Sequence, residues 1–180
     1  MRNILIDGCD RLGKSSLIEG LQQELGYFMV VHYEKPKLLK AYKMSPYRYQ
    51  EASFNNMFQM LSFHGRFILD RTHLGEMVYA PMYRGYSGDY VIEMEKYHTL
   101  AGSDFADESL LVLLTTSDFS FIKDDGMSFD FSKKEEEQES FKRAFNMSTI
   151  KNKLIVDVAN GKGFYRERED ILAQVIDNMI

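Results

Sequence analysis

Ile4-Leu5-Ile6-Asp7-Gly8-Cys9-Asp10-Arg11-Leu12-Gly13-Lys14-Ser15-Ser16 decides how the rest of the chain is read. An apolar run ends in Asp7. Gly8, four residues, Gly13, Lys14 and Ser15 then satisfy the phosphate-binding loop pattern G-x-x-x-x-G-K-[ST]. Glycines let such a loop turn its N–H groups onto a triphosphate. The lysine reaches the outer phosphates and the Ser15 hydroxyl can ligate Mg²⁺. Leu17, Ile18, Leu21 and Leu25 recur at helical spacing behind the loop, so a helix N-terminus faces the same anion. Gly8, Gly13, Lys14, Ser15 and Ser16 are therefore the candidate ATP-binding residues. The alternative is a glycine-rich turn with a surface lysine.

Outward from the loop, apolar runs alternate with helical patterns. Strands are expected at 3–7, 28–33, 66–69, 110–114 and 153–158. Helices are expected after the loop, from Pro46, from Thr72, over Gly88–Ala101, over Glu135–Asn146 and at the carboxyl end. Met82–Tyr86 reads as a loop. This alternation implies a three-layer α/β/α sandwich on a five-stranded parallel sheet. The 180 residues suit one domain. The polar stretch 122–134, with a glycine and weak periodicity, reads as a lid-like loop. The acidic run Glu135–Glu137 reads as a solvated helix start that complements the helix dipole.

Composition narrows the classes. A net charge of −5 argues against nonspecific nucleic-acid binding. No apolar run is long enough to cross a membrane, and a strand that starts by Asn3 leaves no room for a signal peptide. The single cysteine, Cys9, excludes an internal disulfide and suits a reducing cytoplasm. Inside the loop it reads as a small neutral filler. The four histidines, 32, 64, 73 and 98, lack the spacing of a metal site.

A phosphate loop is shared by switches, motors and kinases, so other residues must choose between them. Asp70-Arg71 closes the third strand. An acidic residue there is the usual Mg²⁺ partner of such a loop, and the arginine can grip a phosphate with two hydrogen bonds. A strand-end ion pair is the alternative. A GTPase would carry glycine three residues beyond its metal-binding aspartate, where this chain has His73. Its base motif would end in aspartate, where Asn152-Lys153-Leu154 continues to Ile155. Large ATPase motors are usually longer and carry extra elements, whereas a small chain with a mid-length polar loop before the last strand fits a small-molecule kinase.

At this point the sequence resembles the thymidylate kinase family. Asp10 and Arg11 inside the loop resemble its eukaryotic and viral form. Asp70-Arg71 resembles its Asp-Arg-aromatic motif, and 123–134 stands where the family has its lid. The size is similar to that of small bacteriophage nucleotide kinases. The resemblance implies transfer of the ATP γ-phosphoryl group, with Mg²⁺, to a deoxynucleoside monophosphate, with dTMP or a related pyrimidine nucleotide first. It implies a cytoplasmic protein (host cytoplasm for a viral chain) with small-molecule nucleotide substrates, and it leaves room for a homodimer. Lys14 and the loop amides would hold ATP, while Ser15 and Asp70 would place Mg²⁺. Arg11 would stabilise the migrating phosphoryl group, with Lys123, Lys133 or Lys134 as replacements. Asp10 would contact the acceptor 3′-hydroxyl and Arg71 its phosphate. Glu34 and Lys35 would touch acceptor sugar or phosphate, and Arg48 and Phe54 the base; Tyr47 and Gln50, on the same helix, are further candidates for base contacts beside the alternative of core packing. Arg84 is either structural or a phosphate contact. Asn160 and Lys162 would lie on the adenine side. Two other readings stand beside this one: a deoxynucleoside kinase with Glu34 as base, and a nucleotide-binding protein without turnover.

Overall fold

The computed structural model describes residues 1–33, 44–63, 65–123 and 130–179. Five parallel strands form one sheet: β1 Asn3–Asp7, β2 Met29–His32, β3 Phe67–Asp70, β4 Ser109–Thr115 and β5 Asn152–Asp157, in the order β2-β3-β1-β4-β5. β1 and β4 are buried along their whole length. Strands covered on both faces need continuous apolar sequence, and Leu110–Leu114 supplies it. β2 is an edge strand and is partly exposed.

Helices α1 Lys14–Leu25, α2 Pro46–Leu61, α3 His73–Tyr79, α4 Tyr90–Leu100, α5 Phe105–Glu108, α6 Lys134–Met147 and α7 Arg168–Asp177 fill the connections. α1 packs on α7, α3 on α4 and α6, and α2 on α4. Ser45 caps α2 through its side chain, with Pro46 at the first helical position. Phe54, Met57, Phe58 and Leu61 form the buried stripe of α2.

The structure departs from the sequence reading in places. Met82–Tyr86 is not a plain loop: Ala80–Arg84 continues α3 as a π-helical turn and stops at Gly85, which is left-handed. The four-residue helix α5 has no apolar period to betray it. Glu137 is not solvated. It is buried on α6, where it accepts from the Lys134 ammonium at 2.9 Å and the Tyr83 hydroxyl at 2.7 Å. Residues 124–129 of the expected lid lie outside the described residues, as do Glu34 and Lys35. Among the described residues, no helix is long and apolar enough to cross a membrane.

The strand order places the site. β1 lies between β3 and β4: the chain crosses from β1 to β2 on one side and later passes from β3 over β1 to β4 on the other, and a crevice opens beyond the carboxyl end of β1. Asp7 and Gly8 enter that crevice from β1, and Asp70 and Arg71 enter it from β3.

Candidate active site

The loop is built on close approach. A Cβ on Gly8 would stand 2.4 Å from the Leu114 carbonyl oxygen, and Gly8 has φ 138°. No other residue fits there without moving β4. Lys14, the first residue of α1, is buried. Its ammonium donates to the Gly8 and Cys9 carbonyls at 2.8 and 2.7 Å, with Asp10 at 4.0 Å. Burial pushes its pKa down, and Asp10 opposes that. The lysine is thus gathered against the loop that its charge would serve. Cys9 is buried and its thiol is pushed up to about 12, chiefly by burial, so it is no nucleophile at neutral pH.

Two cavities meet over this loop. The larger, about 470 Å³, is lined by Asp10 through Leu17, Asp70, Arg71, Tyr165, Arg166, Arg168 and Ile171, among others. That volume is in the range of small-molecule sites. The smaller, about 60 Å³, is lined by Asp7, Tyr33, Gln50, Phe54, Glu76 and Arg84, among others. Its walls must part to admit a nucleotide. Asp10 and Arg71 line both cavities. The Arg71 guanidinium donates to Asp10 at 3.0 Å.

Arg11 and Arg71 both hold left-handed backbone, φ 75° and 64°. Non-glycine residues rarely adopt it, and strain of this kind costs roughly 1–3 kcal/mol. Arg71 is held there from both sides. The Arg71 N–H donates to the Ile6 carbonyl at 3.0 Å. Next along the chain, the Thr72 N–H donates to both Asp7 oxygens at 3.2 Å, and its hydroxyl donates to Asp7 too. Burial pushes the Asp7 carboxyl pKa up, and the Thr72 bonds pull it back.

Asp70 shares its cavity with Ser15. One carboxylate oxygen, Oδ2, accepts from His32 Nδ1–H at 2.9 Å; the other, Oδ1, is buried with no hydrogen-bond partner among the described residues. A carboxylate oxygen in need of a partner, with a hydroxyl in the same cavity, fits a hard divalent cation that takes its other ligands from phosphates and water.

The other sequence candidates divide. Phe54 and Gln50 line the smaller cavity, whereas Arg48 lies on the exposed face of α2 and lines neither cavity. Arg84 lines the smaller cavity and pairs with buried Glu76, which also accepts from the Tyr86 and Tyr90 hydroxyls at 2.6 and 3.0 Å. Asn160 shapes a turn: its side-chain oxygen accepts the Lys162 and Phe164 N–H groups at 2.8 and 3.3 Å. Asn160 and Lys162 are absent from the residues lining the larger cavity; Tyr165, Arg166 and Arg168, just beyond that turn, are present. Lys134 is buried in its pair with Glu137, and Lys133 lies 5.8 Å over the Tyr83 ring.

Comparison of sequences finds no matching family model and no matching curated protein. Comparison of structures does find proteins of the same fold. YorR from Bacillus subtilis, solved in complex with phosphorylated GDP, superposes over 97% of this chain and 94% of its own, with a TM-score of 0.67 and 18% identity. The fold is shared. Deoxyadenosine kinase from M. mycoides, solved with the products dCMP and a flexible dCDP, covers 98% and 97% with a TM-score of 0.57 and 16% identity. The same enzyme with bound dCTP gives 0.53 at 14% identity, over 97% and 99%. The five-stranded parallel α/β architecture of the chain is therefore that of these nucleotide-binding proteins.

Proposed function

We propose that the protein is an ATP-dependent kinase that phosphorylates a deoxynucleoside monophosphate, a pyrimidine nucleotide such as dTMP first. The observation that carries the reading is Arg71, which lines both cavities at their junction and is held against Asp10 by a 3.0 Å ion pair. A phosphoryl group must pass from a donor in the larger cavity to an acceptor in the smaller one. Positioning and charge neutralisation at that junction are most of what such a transfer requires.

The loop amides and Lys14 hold the donor's outer phosphates, and Ser16 extends the helix N-terminus that faces them. Ser15 and Asp70 would hold Mg²⁺, which would supply neutralisation of phosphate charge when bound. Arg11 stabilises charge on the migrating group. Arg71 grips the acceptor phosphate, whose oxygen attacks the γ-phosphorus as the bond to the ADP oxygen breaks. Asp10 accepts from the acceptor 3′-hydroxyl. Phe54 offers a ring to the base and Gln50 an amide that can both donate and accept. Resemblance assigns Glu34 and Lys35 to the acceptor sugar and phosphate.

A second reading has its own support. Arg84 is already neutralised by Glu76, which weakens its pull on an acceptor phosphate and suits an uncharged acceptor. The M. mycoides relative is a deoxyadenosine kinase. A deoxynucleoside kinase would use Glu34 as base on a 5′-hydroxyl.

One experiment separates them. Purified protein with ATP and Mg²⁺ is given dTMP, dUMP and its 5-substituted forms, dCMP, dGMP and dAMP, each beside its nucleoside. Diphosphate products support the proposal. Phosphorylation of nucleosides alone gives the second reading. ATP binding with no product from any acceptor leaves a nucleotide-binding protein without turnover.

A further inference from the structure

Tyr165 stands where three parts of the molecule meet. Its hydroxyl donates to the Arg11 carbonyl, 154 residues away in sequence. Its ring meets Phe121 edge-on, with centroids 4.7 Å apart, and Phe121 lies just before the stretch read as a lid. Its residue lines the larger cavity beside Arg166, Arg168 and Ile171. Antiparallel pairing of Tyr165 with Ala159 and the Arg166 guanidinium on the Asp157 carbonyl at 3.0 Å fasten this turn to the end of β5. The turn that carries the Tyr165 hydroxyl is therefore tied to the sheet.

The bond falls on the most demanding peptide of the loop. Arg11 is left-handed at φ 75°, a conformation that a non-glycine residue leaves readily unless something holds it. The Arg11 carbonyl and the Leu12 N–H belong to one planar trans peptide and point in opposite directions. Fixing the carbonyl fixes the amide. Arg11 and Leu12 both line the larger cavity.

We infer that Tyr165 has two separable jobs: its ring is a wall of the donor site, and its hydroxyl is a positioning group that holds the Arg11–Leu12 peptide in the conformation that receives the donor's outer phosphates. The inference rests on the donor half of the proposed function and does not need phosphoryl transfer. It predicts that the hydroxyl is felt by a triphosphate and not by a monophosphate, whereas the ring is felt by both. A purely structural tyrosine would not distinguish the two ligands.

The test is calorimetric titration of the full chain, wild type, Tyr165→Phe and Tyr165→Ala, with ATP and Mg²⁺ and separately with AMP. Thermal unfolding confirms that each variant is folded. Tyr165→Phe is expected to weaken ATP about fivefold, the worth of one ordinary hydrogen bond, and to leave AMP unchanged. Tyr165→Ala is expected to weaken both by tenfold or more. Equal loss of ATP and AMP in Tyr165→Phe, or no loss of ATP, overturns the positioning role. Unchanged AMP binding in Tyr165→Ala overturns the wall. A protein that meets these expectations and yet phosphorylates no acceptor cancels the kinase reading and keeps this one. Wild type that binds no ATP cancels both.

Discussion

The Arg71 guanidinium donates to the Asp10 carboxylate at 3.0 Å, joining the end of β3 to the phosphate loop across the cleft. Both side chains are partly exposed, at 48% and 24%. Pairs so open to water contribute at most about 1 kcal/mol to stability. The pair therefore serves orientation more than folding. Arg71→Lys keeps the charge and loses the two-pronged geometry. Its KM for the acceptor should rise by about tenfold, while ATP affinity and melting temperature stay near wild type. Asp10→Asn should act through the same contact. Steady-state kinetics on both variants and the double variant checks this: the double loss should be smaller than the product of the single losses. Strictly multiplicative losses would mean that the two residues work independently.

Arg11 couples a strained backbone to the role proposed for it on the migrating phosphoryl group, so its replacement by glycine should move stability and activity in opposite directions. Arg11→Ala should lower turnover by roughly 10²–10³, as for other groups that stabilise transition-state charge, and keep most ATP binding. Arg11→Gly should be equally slow, yet more stable by about 1 kcal/mol, because glycine holds φ 75° without strain. Turnover assays and urea unfolding read the two effects separately. Unchanged turnover in Arg11→Ala would transfer the role to a lid cation; Lys134, already paired with Glu137, would be the poorest replacement.

The sheet and the phosphate loop were legible because they rest on local signals. The loop spacing from Gly8 to Ser15, the apolar runs of β1, β3 and β4, and the polar residues that close them are all contiguous in sequence. So was the buried stripe of α2. The rest of the site is made by contacts between distant residues, and periodicity carries no trace of them. Tyr165 reaches Arg11 across 154 positions. Glu137 reads as one more glutamate in an exposed run until α6 turns it toward Lys134 and Tyr83. Arg48 and Gln50, two residues apart on α2, show the limit in miniature. The family resemblance favours the arginine as a base contact, but the helix turns the glutamine to the smaller cavity and the arginine away. A spacing of two residues puts side chains on different faces of a helix.

Thr72 is the hinge between the buried Asp7 and the left-handed Arg71, and its hydroxyl is the testable part. Thr72→Val keeps the shape and leaves Asp7 short of a donor in a buried setting. It should destabilise by about 1–3 kcal/mol and raise the acceptor KM as Arg71 loses its support. Thr72→Ser should restore most of both. Urea unfolding and acceptor kinetics on the two variants check this. If Thr72→Val behaves as wild type and Thr72→Ser is the impaired variant, the methyl group and not the hydroxyl is what matters there.

Behind α3, Glu95 is buried and accepts from His73 Nε2–H at 2.5 Å, from the Ser148 hydroxyl at 3.1 Å, and from the Thr149 N–H and hydroxyl. Burial alone would raise its pKa. The hydrogen bond and charge of His73, with the Thr149 bonds, outweigh that and hold it at about 2, below the usual 4.5. A carboxyl held below its unfolded value stabilises the fold fully above the unfolded pKa and loses that contribution as pH falls through the folded one. Glu95 therefore supports the fold at neutral pH and ceases to do so between about pH 4.5 and pH 2. Glu95→Gln, which leaves His73 without its buried carboxylate, should lose roughly 3–5 kcal/mol at pH 7. The gap between wild type and variant should narrow steadily as the pH is lowered through that window. Urea midpoints for both proteins at pH 7, 5, 4 and 3 measure the gap. A gap that stays constant to pH 3 would place the acid sensitivity of the fold in other carboxylates.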